Sequence, residues 1–325
     1  MHESRNFCVQ FNVKNYYNIF HNWKKFSQAD LSKVLSVAVD IDSSPKELHA
    51  GIAICNQSGI QLINPLRNID SNGESVILVD DWLTQNNIDV DWIFNFELDS
   101  VPLHADFWDK LDAFISSNKW LDDSVGLIGV YTYLDHHHGL QEIQNPDKFI
   151  RNNRGTRPAR GNLLGGLLEH PHSGWYQNFS KDRGWFDCEY FVIESPKYHC
   201  FGLNRKLFKK YINIDNRFKH LYWVDDIAHQ FMQNNIFNIF IPDLFVSHAD
   251  IYIKQGIHLP ENLNYTRSTD SHIHWKEKYG WPWGYRNKTL REDFQKNMHM
   301  YKNTIQEKLY NSHILDGPKQ IEDYL

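Results

Sequence analysis

Over its first 125 residues the chain alternates short apolar, β-prone runs with helix-prone ones, and this alternation leaves few architectures open. Residues 7–13, 35–40 and 60–64 read as strands. Residues 16–27, 46–56 and 74–86 read as helices, the second opening after Pro45. Parallel strands need a long crossover, usually a helix, so the expectation is an α/β protein with a doubly wound, mostly parallel sheet. The next strand is the most telling. Trp92-Ile93-Phe94-Asn95-Phe96 is apolar, as a buried parallel strand requires, and it stops abruptly in Glu97-Leu98-Asp99-Ser100. In open α/β sheets ligands bind beyond the carboxyl ends of the strands, so these carboxylates stand where chemistry is expected.

Side chains at i and i+2 of an extended segment point the same way, so Glu97 and Asp99 can converge on one object. Two hard oxygen ligands with an open side suit Mg²⁺ or Mn²⁺ that a substrate phosphate also holds. With 40 acidic residues in 325, an acid-x-acid triplet arises by chance about five times. The triplet therefore carries meaning only through its company. A second constellation supplies it: Asp225-Asp226 opens a helix whose apolar face is Ile227, Phe231 and Met232, and whose dipole favours acids at that end. Asn234-Asn235 can end the helix. Two short apolar segments then flank Pro242, the second ending in His248.

In this order the motifs resemble those of glycosyltransferases of the GT-A fold, with the pattern of the large inverting family known as family 2. Such enzymes carry an acid-x-acid motif at a strand end, here Glu97-Leu98-Asp99. Further on comes an acidic pair opening a helix, a short strand, a proline and a terminal histidine, here Asp225-Asp226, Pro242 and His248. Cys200-Phe201-Gly202-Leu203-Asn204 with Arg205-Lys206-Leu207-Phe208 resembles the small-residue segment and helix before the pair. The segments at residues 9–12 and 35–43 resemble the first two strands, and the likeness spans residues 5–250.

The resemblance implies a Rossmann-like nucleotide-sugar half at residues 1–125, an acceptor-binding and catalytic half at 126–255, and a helical, aromatic extension at 256–325. It implies that Asp40 or Asp42 holds the nucleobase or ribose, beside Phe11 and Asn12. Asp99 would ligate Mn²⁺ or Mg²⁺, with Glu97 helping directly or through water, and His248 would complete the site or contact phosphate. Asp226 or Asp225 would take the proton of an attacking hydroxyl, and one displacement would invert the sugar. The implied donor is a nucleotide-sugar, UDP-sugars being the commonest, and the implied acceptor a glycan or lipid-linked glycan. Trp275-Lys276-Glu277-Lys278-Tyr279-Gly280 resembles a short aromatic-Lys-aromatic-Gly element found after similar catalytic domains. Two departures stand out: the first acid is Glu97 where Asp is usual, and the later pair is Asp-Asp where Glu-Asp is commoner. The second leaves the identity of the base open.

Between the two constellations lies a polar stretch. Asp135-His136-His137-His138-Gly139 reads as a loop, because adjacent histidines cannot all turn to one ion. Arg151, Arg154, Arg157 and Arg160, interleaved with glycines, form a loop suited to gripping phosphate; Arg157 and Arg160 are its candidates for the donor diphosphate, an anionic acceptor and plain solvation being the alternatives. Trp175 and Trp185 stay open between an acceptor cleft and packing, whereas Trp281 and Trp283 read as packing for the tail. A net charge of -6 gives no support for electrostatic nucleic-acid binding, although a local patch stays open. Cys8, Cys55, Cys188 and Cys200 are scattered, which indicates neither a zinc ribbon nor a disulfide scaffold. With no signal peptide and no apolar run of spanning length, the expectation is a cytoplasmic protein, with peripheral membrane contact open. The alternatives to a glycan transferase are one acting on a modified nucleic-acid base and a non-catalytic sugar-binding protein of the same fold.

Overall fold

The computed structural model describes residues 7–14, 17, 20, 29–67, 69, 71–98, 100–102, 104–134, 162–163, 189–196, 199–219, 222–248, 265–280, 299, 302–305, 307–308 and 320–323. Its centre is a single ten-stranded mixed sheet. Four strands from the first part of the chain, β1 (Phe7–Val13), β2 (Leu35–Asp40), β3 (Gln61–Ile63) and β4 (Trp92–Phe96), lie in the order β3-β2-β1-β4, all parallel. Of the later strands, β6 (Val125–Leu134), β7 (Asn162–Leu163), β8 (Phe191–Ser195), β9 (Cys200–Asn204) and β10 (Phe237–His248) extend the sheet in the order β9-β6-β10-β8-β7. Strand β9 is antiparallel to both β4 and β6, while β10 is parallel to β6 and antiparallel to β8. A short β5 (Ser100–Pro102) pairs antiparallel with the end of β10.

The helices form where local chemistry starts and stops them. Helix α1 (Pro45–Ser58) begins with proline in its first turn, is capped by Ser44 accepting from the Glu47 N–H, and ends at left-handed Gly59. Helix α2 (Asn72–Gln85) is capped by Ser71 accepting from the Glu74 N–H, which starts it two residues before the expected boundary. Then follow α3 (Phe107–Ser117), α4 (Leu121–Ser124), α5 (Arg205–Tyr211), α6 (Trp223–Gln233) and α7 (Tyr265–Tyr279). Alternation along β1 sorts the two faces of the sheet. Phe7, Val9, Phe11 and Val13 join a core with Phe94, Phe107, Trp108 and Leu111. Cys8 joins the opposite core with Val76, Val79, Trp223, Ile227, Phe231 and Trp275 from α2, α6 and α7.

Three departures from the expected elements have physical causes. The segment 200–204, expected only as a small-residue run, is a central strand: Gly202 lies under the Phe94 ring, where a Cβ would meet ring carbon at 2.5 Å. The two segments about Pro242 are one strand, because both halves pair with β6; the register slips between Ile241 and Phe245, which accommodates a proline that cannot donate to the ladder. Strand β3 is three residues long rather than five. The helix expected at residues 16–27 lies outside the described residues except for Tyr17 and Phe20, as do most of residues 290–311. Among the described residues no helix is long and apolar enough to cross a membrane.

Helix α6 is seated on β6 through Gly126, since a Cβ there would sit 2.3 Å from the Phe231 ring. Gly126→Ala should therefore lower stability by about 1–3 kcal/mol, the usual cost of overpacking, read as a shift of the urea midpoint at constant slope.

Candidate active site

The carboxyl edge of the parallel strands gathers the candidate residues. Helix α6 runs through Asn234, Asn235 and Ile236 directly into β10, whose Phe237 lies opposite Val125, the first residue of β6. Its C-terminal end is thus at the amino edge of the sheet, and its first turn, with Asp225 and Asp226, is at the carboxyl edge. Helix α2 enters at the same edge, where the Asn72 N–H donates to the Lys219 carbonyl at 3.0 Å.

At the end of β4 the chain turns tightly: the Ser100 N–H donates to the Glu97 carbonyl at 2.9 Å, and the Glu97 N–H donates to the His199 carbonyl at 2.9 Å. The Glu97 carboxylate contacts His199 Nδ1 at 2.5 Å, and His199 is 6% exposed. Strand β5 then carries Ser100 antiparallel against β10, with His248 directly opposite it. The ends of two distant segments, the acid-x-acid turn and the terminal histidine, are thus neighbours. Asp99 itself and the side chain of His248 lie outside the described residues. Among the described residues no group of three or more His, Cys, Asp or Glu side chains converges on a point. By residue type, the Glu and Asp of the turn and the His at the end of β10 are an oxygen-rich combination whose chemistry suits Mn²⁺ or Mg²⁺.

Asp40, at the end of β2, is buried and internally committed. Its Oδ2 accepts from the Tyr17 hydroxyl at 2.5 Å, and its Oδ1 accepts from the N–H groups of Asp42 and Ser43 at 3.2 and 3.0 Å. Burial, reinforced by the Asp40 carboxylate, pushes the Tyr17 phenol well above its ordinary pKa. Asp42 is different: its φ of 130° lies in a region that costs a non-glycine residue energy, its side chain is 43% exposed, and Lys14 pairs with it at 3.1 Å. Phe11 is fully buried against Phe20 and Phe96 and serves the core. Asn12 is half-buried and accepts from Gln10 Nε2 at 3.0 Å. Arg157 and Arg160, with the rest of the polar stretch and Trp175, Trp185, Trp281 and Trp283, lie outside the described residues.

The acidic pair is split by its surroundings. Asp226 is 1% exposed. Its Oδ1 takes the Lys278 ammonium at 2.7 Å and the Tyr279 hydroxyl at 2.6 Å, and its Oδ2 accepts from Gln230 Nε2 at 2.8 Å. Burial raises its pKa, with Lys278 and Tyr279 pulling the other way. Asp225, one position earlier, is half-buried. Lys278 and Tyr279 belong to the aromatic-Lys-aromatic-Gly element in α7, whose Trp275 and Tyr279 rings pack on His229 at centroid distances of 5.5 and 4.2 Å. The element thus packs on α6 as well as pairing with it. His199, Lys278 and Tyr17, which hold Glu97, Asp226 and Asp40, escaped the sequence reading. Each acts on an acid far away in the chain, and only the family-like element around Lys278 carried any signal.

No protein-family model matches the sequence, and no curated protein matches it. Solved structures do match in shape. A mannosyltransferase from Pyrobaculum calidifontis, in complex with GDP-Man and Mn²⁺, aligns with a TM-score of 0.50 at 11% identity, over 96% of this chain and 71% of that one. GalNAc-T7 with UDP, GalNAc and Mn²⁺ aligns with a TM-score of 0.51 at 13% identity, over 97% of this chain and 57% of that one. This chain therefore spans little more than half the length of the second. At such identities the likeness is one of fold: a mixed α/β architecture around a large sheet of the GT-A type, as the motif order implied.

His229 gives the junction of α6 and α7 a pH dependence. Burial first, and the Lys278 ammonium second, hold its imidazole down to about 3. The unfolded chain takes up that proton near pH 6.5, so below this the unfolded state binds more protons than the folded one. Stability should fall on acidification from about pH 6.5 toward 3, by at most about 1.4 kcal/mol per pH unit from this residue. Urea titrations at a series of pH values should show the slope, and His229→Gln should remove this part of it.

Proposed function

We propose that the chain is a divalent-metal-dependent glycosyltransferase that moves a sugar from a nucleotide-sugar, a UDP-sugar first among candidates, to a hydroxyl of a glycan or lipid-linked glycan. The observation that carries this reading is the β5–β10 register, which sets His248 opposite Ser100 and so beside the Glu97-Leu98-Asp99 turn. The register supports a reading in which ligating residue types from two remote segments share the edge where an α/β sheet binds ligands. The fold adds support, since both matched structures hold Mn²⁺ with a nucleotide or nucleotide-sugar.

Asp99 and His248 would hold the ion, with Glu97 kept in place by His199. When bound, the cation offsets the charge that gathers on the departing diphosphate. Asp42 is the better placed of the two β2 acids to hydrogen-bond the donor's ribose or base, because Asp40 is already occupied by Tyr17, Asp42 and Ser43. Asp225 serves as the general base, since Asp226 is buried under Lys278. The acceptor oxygen attacks the anomeric carbon and its proton passes to Asp225. The bond from that carbon to the diphosphate oxygen breaks, the nucleoside diphosphate leaves from the opposite face, and the configuration inverts.

Incubation with UDP-, GDP-, dTDP- and CMP-sugars should give slow release of one nucleotide that requires Mn²⁺ and stops with EDTA. Asp99→Asn should abolish it, and Asp225→Asn should lower it by about 10²–10⁴-fold while donor binding survives. No binding of any donor, with or without Mn²⁺, would overturn the reading. A further readout concerns Glu97. His199→Ala should weaken Mn²⁺ binding in the presence of that nucleotide by about 10–100-fold, followed by the electron paramagnetic resonance of free Mn²⁺.

A further inference from the structure

The first turn of α6 is held from outside its own helix. Its cap, Tyr222, is left-handed at φ 67° and gives the turn no side-chain hydrogen bond; the Tyr222 hydroxyl instead meets His272 of α7 at 2.6 Å. Within the turn, Asp226 receives the Lys278 ammonium and the Tyr279 hydroxyl from the last turn of α7. Lys278 also reaches Asp215 at 3.5 Å, and Asp215 is paired at 2.6 Å with Arg217, which reaches Glu277 at 3.5 Å. Arg217 holds the Asp215 carboxyl down to about 2, so this anchor stays charged through ordinary pH.

We propose that Asp226, Lys278 and Tyr279 are positioning residues: they lock the first turn of α6 in rotation and so fix where Asp225 presents its carboxylate. This rests on the transferase reading above. Successive helical side chains diverge by about 100°, so an Asp226 turned into α7 leaves Asp225 on a different face of the same turn. An acid already holding an ammonium at 2.7 Å and a phenol at 2.6 Å is committed to that contact. A small rotation of the turn carries the neighbouring carboxylate off the line of attack, where misplacement by about 1 Å costs about 10²-fold in rate. The role of the aromatic-Lys-aromatic-Gly element is then to aim the base, from 52 residues downstream of the carboxylate it grips.

The test is steady-state nucleotide release across the same donor panel with Mn²⁺, water being the acceptor. Lys278→Met and Tyr279→Phe should each lower kcat about 10–100-fold with the donor KM held within about threefold. Tyr279→Phe keeps the ring on His229 and Trp275 and carries the test if Lys278→Met fails to fold. The double variant Asp226→Asn with Lys278→Gln replaces the ion pair by a neutral hydrogen-bonding pair, and should restore kcat to within about fivefold of wild type. A double variant as inactive as Asp225→Asn would make Asp226 the base and overturn the proposal. So would singles that shift the urea midpoint but leave kcat unchanged, because the contact would then be packing alone. In both cases the transferase reading stands. Wild type that releases no nucleotide from any donor removes that reading and this one together.

Discussion

Strand β10 is the member on which the site depends, because it pairs with three neighbours along one length. It begins against β8, runs beside β6 throughout, and finishes against β5. A side-chain period of two means that a slip of one residue would turn every group to the other face. Between Ile241 and Phe245, Pro242, Asp243 and Leu244 are extra residues opposite the consecutive Val130 and Tyr131 of β6, so the strand can pair with β6 on both sides of them. Without those extra residues His248 would not come to rest opposite Ser100. The position of the end of β10 beside the acid-x-acid turn is thus decided by ladder pairing some distance from it.

The described acids at the carboxyl edge each have a different electrostatic setting. Asp40 is turned inward by a phenol and two backbone amides, Asp226 by an ammonium and a phenol, and Glu97 by an imidazole. Removing one partner of a buried ion pair such as Asp226–Lys278 costs about 3–5 kcal/mol, so Asp226 resists change more than the half-buried Asp225 beside it. Asp42 and Asp225 are the more open members of their pairs. Asp40 also braces the backbone beside Asp42, through the Asp42 and Ser43 N–H groups.

Much of the architecture could be read from residues alone. Strands β1 and β2 match their expected bounds, and the strand ending at Glu97 and the helix opening at Asp225-Asp226 stand where the apolar patterns put them. These elements are local: period, caps and turn residues are contained in a dozen neighbouring positions. What stayed hidden is non-local. Nothing around Cys200-Phe201-Gly202 says that it lies between β4 and β6, since its burial comes from partners far off in the chain. Likewise His199 gains its meaning from a carboxylate 102 residues before it. The acid doublet was legible as a doublet, but the difference in burial between its members needed α7.

The length of the Glu97 side chain has its own consequence. The glutamate spans from the end of β4 to the imidazole that precedes β9, two positions brought together by the pairing of Phe96 with Cys200. An aspartate at 97 is one methylene shorter and would leave the imidazole behind, while a glutamate without the imidazole would lose its anchor. Positions 97 and 199 are therefore coupled by reach, and a change at either one undoes the contact.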